Sequence, residues 1–261
     1  LSPIACDAEK YANPVASPTN PKRLYLLYNC LVGTAEVFYN TFLFVSDDAG
    51  VTWHNPLAGQ NNGRLGNGLF QLLVSPTVNE RLYVLQTLTW RQSNDGGATW
   101  QNRQFPVTDL ALDAQDSQWL YGITPTDIYT DRIGMRSEDG GATWGEWPQQ
   151  PCSLQTDPFA DKGNVQIMAH PTQSKTIFVR CDAGLYRSDN GGDSWTQLAN
   201  VPGQLLAADY GVAGRILWAK NDGLWASTNR GDTWQAIMPN FALVDPSQWV
   251  PMYLPSVLAK E

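Results

Sequence analysis

Long apolar runs are missing from this chain. No stretch of its 261 residues approaches the roughly 18 uninterrupted apolar residues that a membrane-crossing helix needs. Charge is scarce too: Asp, Glu, Lys and Arg make up 16% of the chain, which leaves little material for long solvated helices. Positive charge is the scarcer sign, with 17 Lys and Arg against 25 Asp and Glu and a net charge of −8. A phosphate backbone would be repelled, so nucleic acid is set aside as a partner. Only two histidines occur, His54 and His170, and neither stands near a Gly-x-Ser-x-Gly nucleophile motif. The four cysteines include no Cys-x-x-Cys pair, so zinc and thioredoxin-like chemistry have no scaffold. No cofactor or metal is implied. The chain contains no Asn-x-Ser/Thr sequon, which favours an exported bacterial protein over a glycosylated eukaryotic one. It opens at Leu1 without an initiator methionine, as a processed or trimmed N-terminus would, removal of a signal peptide being one explanation.

What is present is turn material and repetition. The 22 glycines, 17 prolines and 43% hydrophobic content suit many short strands joined by tight turns, and the length suits one all-β domain. One eight-residue phrase recurs five times: Ser46-Asp-Asp-Ala-Gly-Val-Thr-Trp53, Ser93-Asn-Asp-Gly-Gly-Ala-Thr-Trp100, Ser137-Glu-Asp-Gly-Gly-Ala-Thr-Trp144, Ser188-Asp-Asn-Gly-Gly-Asp-Ser-Trp195 and Ser227-Thr-Asn-Arg-Gly-Asp-Thr-Trp234. The leading serines are 47, 44, 51 and 39 residues apart, the spacing of four-stranded propeller blades. Each phrase lies between β-prone runs, as a hairpin turn does. Its third position is Asp48, Asp95, Asp139, Asn190 or Asn229, a short side chain able to accept hydrogen bonds from turn amides. Its fifth is always glycine, as a positive φ requires. Asn at two third positions marks a turn acceptor and excludes a general acid there. The closing tryptophans are expected to wedge between blades.

The phrase resembles the Asp-box, or BNR repeat, of sialidases, sortilin-type receptors, xyloglucanases and a photosystem II assembly factor. The resemblance spans roughly residues 11–238. It implies an all-β fold, a single propeller of four-stranded antiparallel blades with Asp-box turns. The blades fall at about 11–57, 66–106, 107–148, 163–199 and 203–238. Residues 239–261 carry no box and would add a closing strand or a cap; the alternative is a sixth, incomplete blade there.

Because the families that share this motif do unrelated things, function has to come from the site. In the expected topology the boxes and the A–B turns share one end. The longer loops Cys30 to Thr41, Asn55 to Gly68, Pro125 to Asp131 and Gln149 to Asn164 share the other. Binding is expected at that loop end, through Tyr39, Trp90, Arg91, Tyr129, Asp131 and Trp249. The arginine of the Arg-Ile-Pro motif that opens sialidase domains is missing, and Arg64, Arg91 and Arg132 form no marked cluster, which argues against a sialidase. Loop-end acids include Glu36, Asp127, Asp131, Asp157, Asp161, Asp182 and Asp222. If the protein is an enzyme, Asp157 and Asp161 are the first choice for a catalytic pair. Xyloglucanase-like enzymes place such a pair between two large propellers, and this chain has length for one small one.

The cysteines allow three pairings, and the repeat selects one. Cys30 and Cys181 each end strand B of a blade, and Cys6 and Cys152 each precede that blade's first strand. The equivalence predicts Cys6–Cys30 and Cys152–Cys181, and a location outside the cytoplasm: periplasm, cell surface or medium. The resulting reading is an exported, non-catalytic binding or assembly module for a protein or glycan partner. The alternative is a glycoside hydrolase or lyase acting on a polysaccharide.

Overall fold

The structure, a computed structural model, describes residues 8–31, 39–68, 71–86, 89–103, 107–124, 133–152, 165–181, 183–200, 205–209, 212–220 and 222–239. These residues form five antiparallel four-stranded sheets, each built from strands consecutive in the chain. The first holds β1 (Ala8–Ala16), β2 (Leu24–Leu31), β3 (Tyr39–Ser46) and β4 (Arg64–Asn67). The second holds β5 (Gln71–Val74), β6 (Leu82–Gln86), β7 (Thr89–Ser93) and β8 (Gln101–Arg103). The third holds β9 (Asp109–Leu112), β10 (Leu120–Ile123), β11 (Gly134–Ser137) and β12 (Gly145–Glu146). The fourth holds β13 (Gln166–Ala169), β14 (Ile177–Cys181), β15 (Gly184–Ser188) and β16 (Thr196–Ala199). The fifth holds β17 (Leu205–Asp209), β18 (Arg215–Lys220), β19 (Gly223–Ser227) and β20 (Gln235–Pro239). The fold is a five-bladed all-β propeller. Among the described residues the one helical piece is a 3-10 turn at Asn61–Gly63, and no helix is long and apolar enough to cross a membrane.

The repeated turns satisfy themselves. In all five, the leading serine hydroxyl accepts the amide of the fifth-position glycine at 2.7–2.8 Å and donates to the third-position side chain at 2.8–2.9 Å. That third side chain accepts the amide of the seventh residue, for example Thr143 N to Asp139 Oδ1 at 2.9 Å. Asn190 and Asn229 do the same for Ser194 and Thr233, and turn their amide groups to those hydroxyls. The glycines hold φ between 83° and 100°, where an L side chain is strained. Four turns also dock on the A–B turn of their own blade, through Ala49 N to Lys22 O, Gly96 N to Glu80 O, Gly140 N to Gln118 O and Gly191 N to Lys175 O. Boxes and A–B turns therefore share one end.

Alternation along the strands sends opposite faces of each sheet into successive seams. Tyr25, Leu27, Leu43 and Val45 of the first blade meet Leu72, Val74, Leu82 and Val84 of the second. Tyr83, Leu85 and Trp90 meet Val107, Leu110 and Leu120 of the third. Ala111, Tyr121, Ile123 and Trp147 meet Ile167, Ile177 and Val179 of the fourth, whose Phe178 and Leu185 meet Leu206, Ile216 and Trp218 of the fifth. The box tryptophans 100, 144, 195 and 234 each join the cluster between their own blade and the one before. Ion pairs cross three of the seams: Arg23–Glu80 at 2.5 Å, Arg136–Asp193 at 2.5 Å and Arg187–Asp232 at 2.5 Å.

One expectation changes, and the disulfide reading stands as far as it is described. Strand D of the first blade does not follow its box directly. His54 makes one bridge to Val45, the chain then turns through Asn55, whose side chain bonds Leu57 N and Gly63 O, and β4 forms only at Arg64–Asn67. Part of the stretch taken for a long loop, Asn55 to Gly68, is thus strand. Of the two predicted disulfides, Cys152–Cys181 is formed. Cys30 is also disulfide-bonded, and its expected partner Cys6 lies outside the described residues.

Candidate functional site

At the loop end the inner strands begin, and the first side chains of β9 and β13 tie the third blade to the fourth and the fourth to the fifth. Asp109 Oδ2 accepts Ile167 N at 3.0 Å. Gln166 accepts Leu206 N at 2.9 Å and donates to Leu206 O at 2.7 Å. These bonds fix the spacing of the inner strands around the funnel and occupy groups that would otherwise face it. Gln86 reaches Asn67 O at 2.8 Å in the same way across the first two blades.

The β18–β19 hairpin presents a different grouping. Lys220 ends β18 and Asp222 directly precedes β19, with Lys220 Nζ 3.5 Å from Asp222. Trp225 donates its indole N–H to Asp222 Oδ1 at 3.1 Å, and Lys220 Nζ sits 3.8 Å from the Trp225 ring centroid. Trp218 and Trp225 are cross-strand partners, so both rings and Lys220 share one face of the sheet. Asp222 is largely exposed, with 62% of its side chain open to solvent. A flat ring, a carboxylate and an ammonium group thus stand together at this end of the sheet. Asp222 is among the acids singled out in the sequence. Trp225 was missed, although its place three residues beyond Asp222 across a two-residue turn is a readable signal.

The other expected site residues separate. Trp90 is 0% exposed, packed against Trp144 at 6.1 Å and Tyr83 at 6.0 Å. It is a core residue of the second seam, because its neighbour across the seam buries the ring. It is not available to a ligand. Arg91 is half-buried and donates to Leu65 O at 2.8 Å, and burial lowers its pKa. Its place is a brace between the first two blades. Tyr39 opens β3, opposite Leu31. Tyr129, Asp131, Asp157, Asp161 and Trp249 lie outside the described residues.

Box carboxylates are occupied by turn donors, as expected. The Thr52 hydroxyl and amide hold Asp48 near pKa 2, and Thr143 does the same for Asp139. Such acids keep their protons off at any ordinary pH and make poor general acids. His170 is buried, accepts Thr172 N at 3.2 Å and occupies the same turn position as Ser75 and Asp113. Burial lowers its pKa. Among the described residues no three His, Cys, Asp or Glu converge as a metal site.

No family model matches the chain. Among curated proteins, a probable oligoxyloglucan-reducing end-specific xyloglucanase of Neosartorya fischeri is 25% identical over 260 residues, covering 92% of this chain and 27% of that protein. The chain thus spans about a quarter of that relative's length. Among solved structures, the GH74 enzyme of Niastella koreensis superposes with a TM-score of 0.60 at 18% identity, over 87% of this chain and 31% of that one. The GH74 xyloglucanase of Xanthomonas campestris gives 0.53 at 19% identity, over 86% and 37%. At these identities the two structures bear on the fold, and they agree with the propeller. The comparisons overturn the reading of a non-catalytic module. The curated relative is a probable xyloglucanase, and that finding favours the polysaccharide-acting alternative.

Proposed function

We propose that this propeller is part or all of an exported glycoside hydrolase that acts on a polysaccharide of the xyloglucan class and meets the glycan at its loop end. The identity with a probable xyloglucanase, kept over 92% of the chain, carries this reading. The five self-satisfied turns support kinship with the Asp-box propellers. The Cys152–Cys181 bond supports an oxidising, extracytoplasmic location. Lys220, Asp222 and Trp225 supply a glycan contact at the edge of the loop end. Hydrolysis with general acid–base assistance requires two carboxylates about 5–10 Å apart. Asp157 and Asp161 are assigned to that pair because they lie in the segment that the disulfide anchors. Tyr39, Tyr129, Asp131 and Trp249 remain assigned to the glycan-facing surface.

The test is reducing-end release from xyloglucan and its oligosaccharides, with affinity electrophoresis in the same polysaccharides. The expected result is release that falls at least about 100-fold in Asp157→Asn or Asp161→Asn, with the melting curve unchanged. Trp225→Ala is expected to raise KM and leave kcat nearly intact, the mark of lost ground-state binding. Release that survives both Asn variants would move the acids elsewhere and keep the hydrolase. Neither release nor retardation on xyloglucan would overturn the reading.

A further inference from the structure

Three asparagines of this chain precede glycine: Asn62, Asn67 and Asn190. An Asn-Gly peptide is prone to lose its side-chain amide, because the nitrogen of a residue without a β-carbon reaches the asparagine side chain unhindered. The backbone nitrogen attacks Cγ, and the new C–N bond closes a succinimide ring. The side-chain nitrogen leaves as ammonia, with the proton that the attacking nitrogen gives up. Water then opens the ring at either carbonyl, leaving aspartate or isoaspartate. The fold gives the three sites different freedom to react.

Asn190 is locked as the third residue of its box. Its Oδ1 accepts the Ser188 hydroxyl at 2.8 Å and Ser194 N at 3.0 Å, and its Nδ2 donates to the Ser194 hydroxyl at 2.9 Å. The nitrogen that would attack, Gly191 N, donates to Lys175 O at 2.8 Å. Asn62 lies in the 3-10 turn. There Gly63 is buried, its N–H donates to Gln60 O at 2.7 Å, and its carbonyl accepts Asn55 Nδ2 at 2.8 Å. At both places the nucleophile is already engaged. Asn67 differs. It is exposed at the end of β4, and among the described residues neither its carboxamide nor the Gly68 N–H makes a hydrogen bond. Nothing lies within 4 Å of a β-carbon position on Gly68, so the approach is open.

The same peptide also receives help. Gln86 of the second blade donates its Nε2 to Asn67 O at 2.8 Å. Attack requires the Gly68 nitrogen to shed its proton, and the resulting negative charge is shared with Asn67 O through the peptide linkage. A donor at that oxygen favours the charged form, since hydrogen bonds to ionised groups are the stronger ones. We propose that Asn67 is a built-in deamidation site, with Gln86 promoting loss of the Gly68 proton. The product carries a carboxylate at the loop end, in the link from the first blade to the second. As isoaspartate it also carries an extra backbone methylene, which displaces the oxygen that Gln86 holds. The reaction needs only water and is independent of what the loop end binds.

Peptide mapping by mass spectrometry of the full chain, held at mildly alkaline pH, tests this, with the urea-unfolded chain as reference. Asn67 should convert in the folded protein. Relative to its own unfolded rate, Asn62 should be slowed at least about fivefold, the worth of one hydrogen bond that must open first, and Asn190 more. Gln86→Leu should slow conversion of Asn67 about fivefold in the folded protein and leave the unfolded rate unchanged. The direction is decisive, because loss of a bond that acted only as a restraint would speed the reaction. An Asn67 that stays intact in the folded chain, or an Asn62 or Asn190 that converts as fast, would overturn the site. A folded Gln86→Leu protein that converts at the unaltered rate or faster would overturn the part given to Gln86.

Discussion

Gly141→Ala separates backbone strain from seam packing. Gly141 holds φ at +89°, where an L residue costs about 1–2 kcal/mol. A methyl group there would lie 2.5 and 2.9 Å from Trp90 ring atoms and 3.0 Å from Leu120 Cδ1. Trp90 is fully buried and cannot give way cheaply, so overpacking adds about 1–3 kcal/mol. Gly59 is the control: its φ is +86°, and nothing lies within 4 Å of its β-carbon position. The loss of unfolded-chain entropy is common to both substitutions and cancels in the comparison. Gly59→Ala is therefore expected to cost the strain alone, and Gly141→Ala about 2–5 kcal/mol. At roughly 2–4 °C per kcal/mol for a chain of this size, the two melting temperatures should differ by about 2–12 °C. Scanning calorimetry with urea titration of both variants measures this. Equal losses would show that the box glycines answer only to their own backbone, and the seam argument would fail.

Three other outcomes are expected. Reduction of Cys152–Cys181, which spans 29 residues, should lower stability by about 3–4 kcal/mol in the chain-entropy account; an unchanged melting curve in dithiothreitol would refute it. Asp139 should titrate near pH 2 by carboxyl NMR, because Thr143 and Ser137 donate to its ionised form. Its folded-state pKa is depressed, so its stabilisation is present above the ordinary carboxylate pKa of about 4 and is lost as pH falls toward 2. A midpoint near 3.8 would refute the turn geometry. His170 is buried and neutral, and the unfolded chain takes up a proton near pH 6.5 that the folded one resists. Stability should thus fall as pH drops from 6.5 toward the lowered folded pKa. His170→Ser, which copies Ser75, should remove that part of the pH dependence; an identical profile in both proteins would refute the assignment.

The turns were legible in the sequence because their bonds are local: Ser46, Asp48, Gly50 and Thr52 satisfy one another within seven residues. The Cys152–Cys181 pair was legible because equivalent blade positions carry equivalent cysteines. Trp90 was misjudged because its burial depends on Trp144 and Val107 of the next blade, which no pattern within β7 announces. Strand β4 was missed because Asn55 and the Asn61–Gly63 turn hold the chain away from the sheet before it returns. Trp225 escaped notice because the box pattern accounts for the tryptophans that close the turns and says nothing of one at the opposite end of a strand.

Each clasped seam joins blades that are also neighbours in the chain, with Arg23, Arg136 and Arg187 reaching forward to the next repeat. Energy therefore passes from blade to blade like tension along a string of links, and a fault is felt first on its two sides. Damage at Arg23 and at Arg187 falls on separate pairs of blades and should add, without mutual amplification.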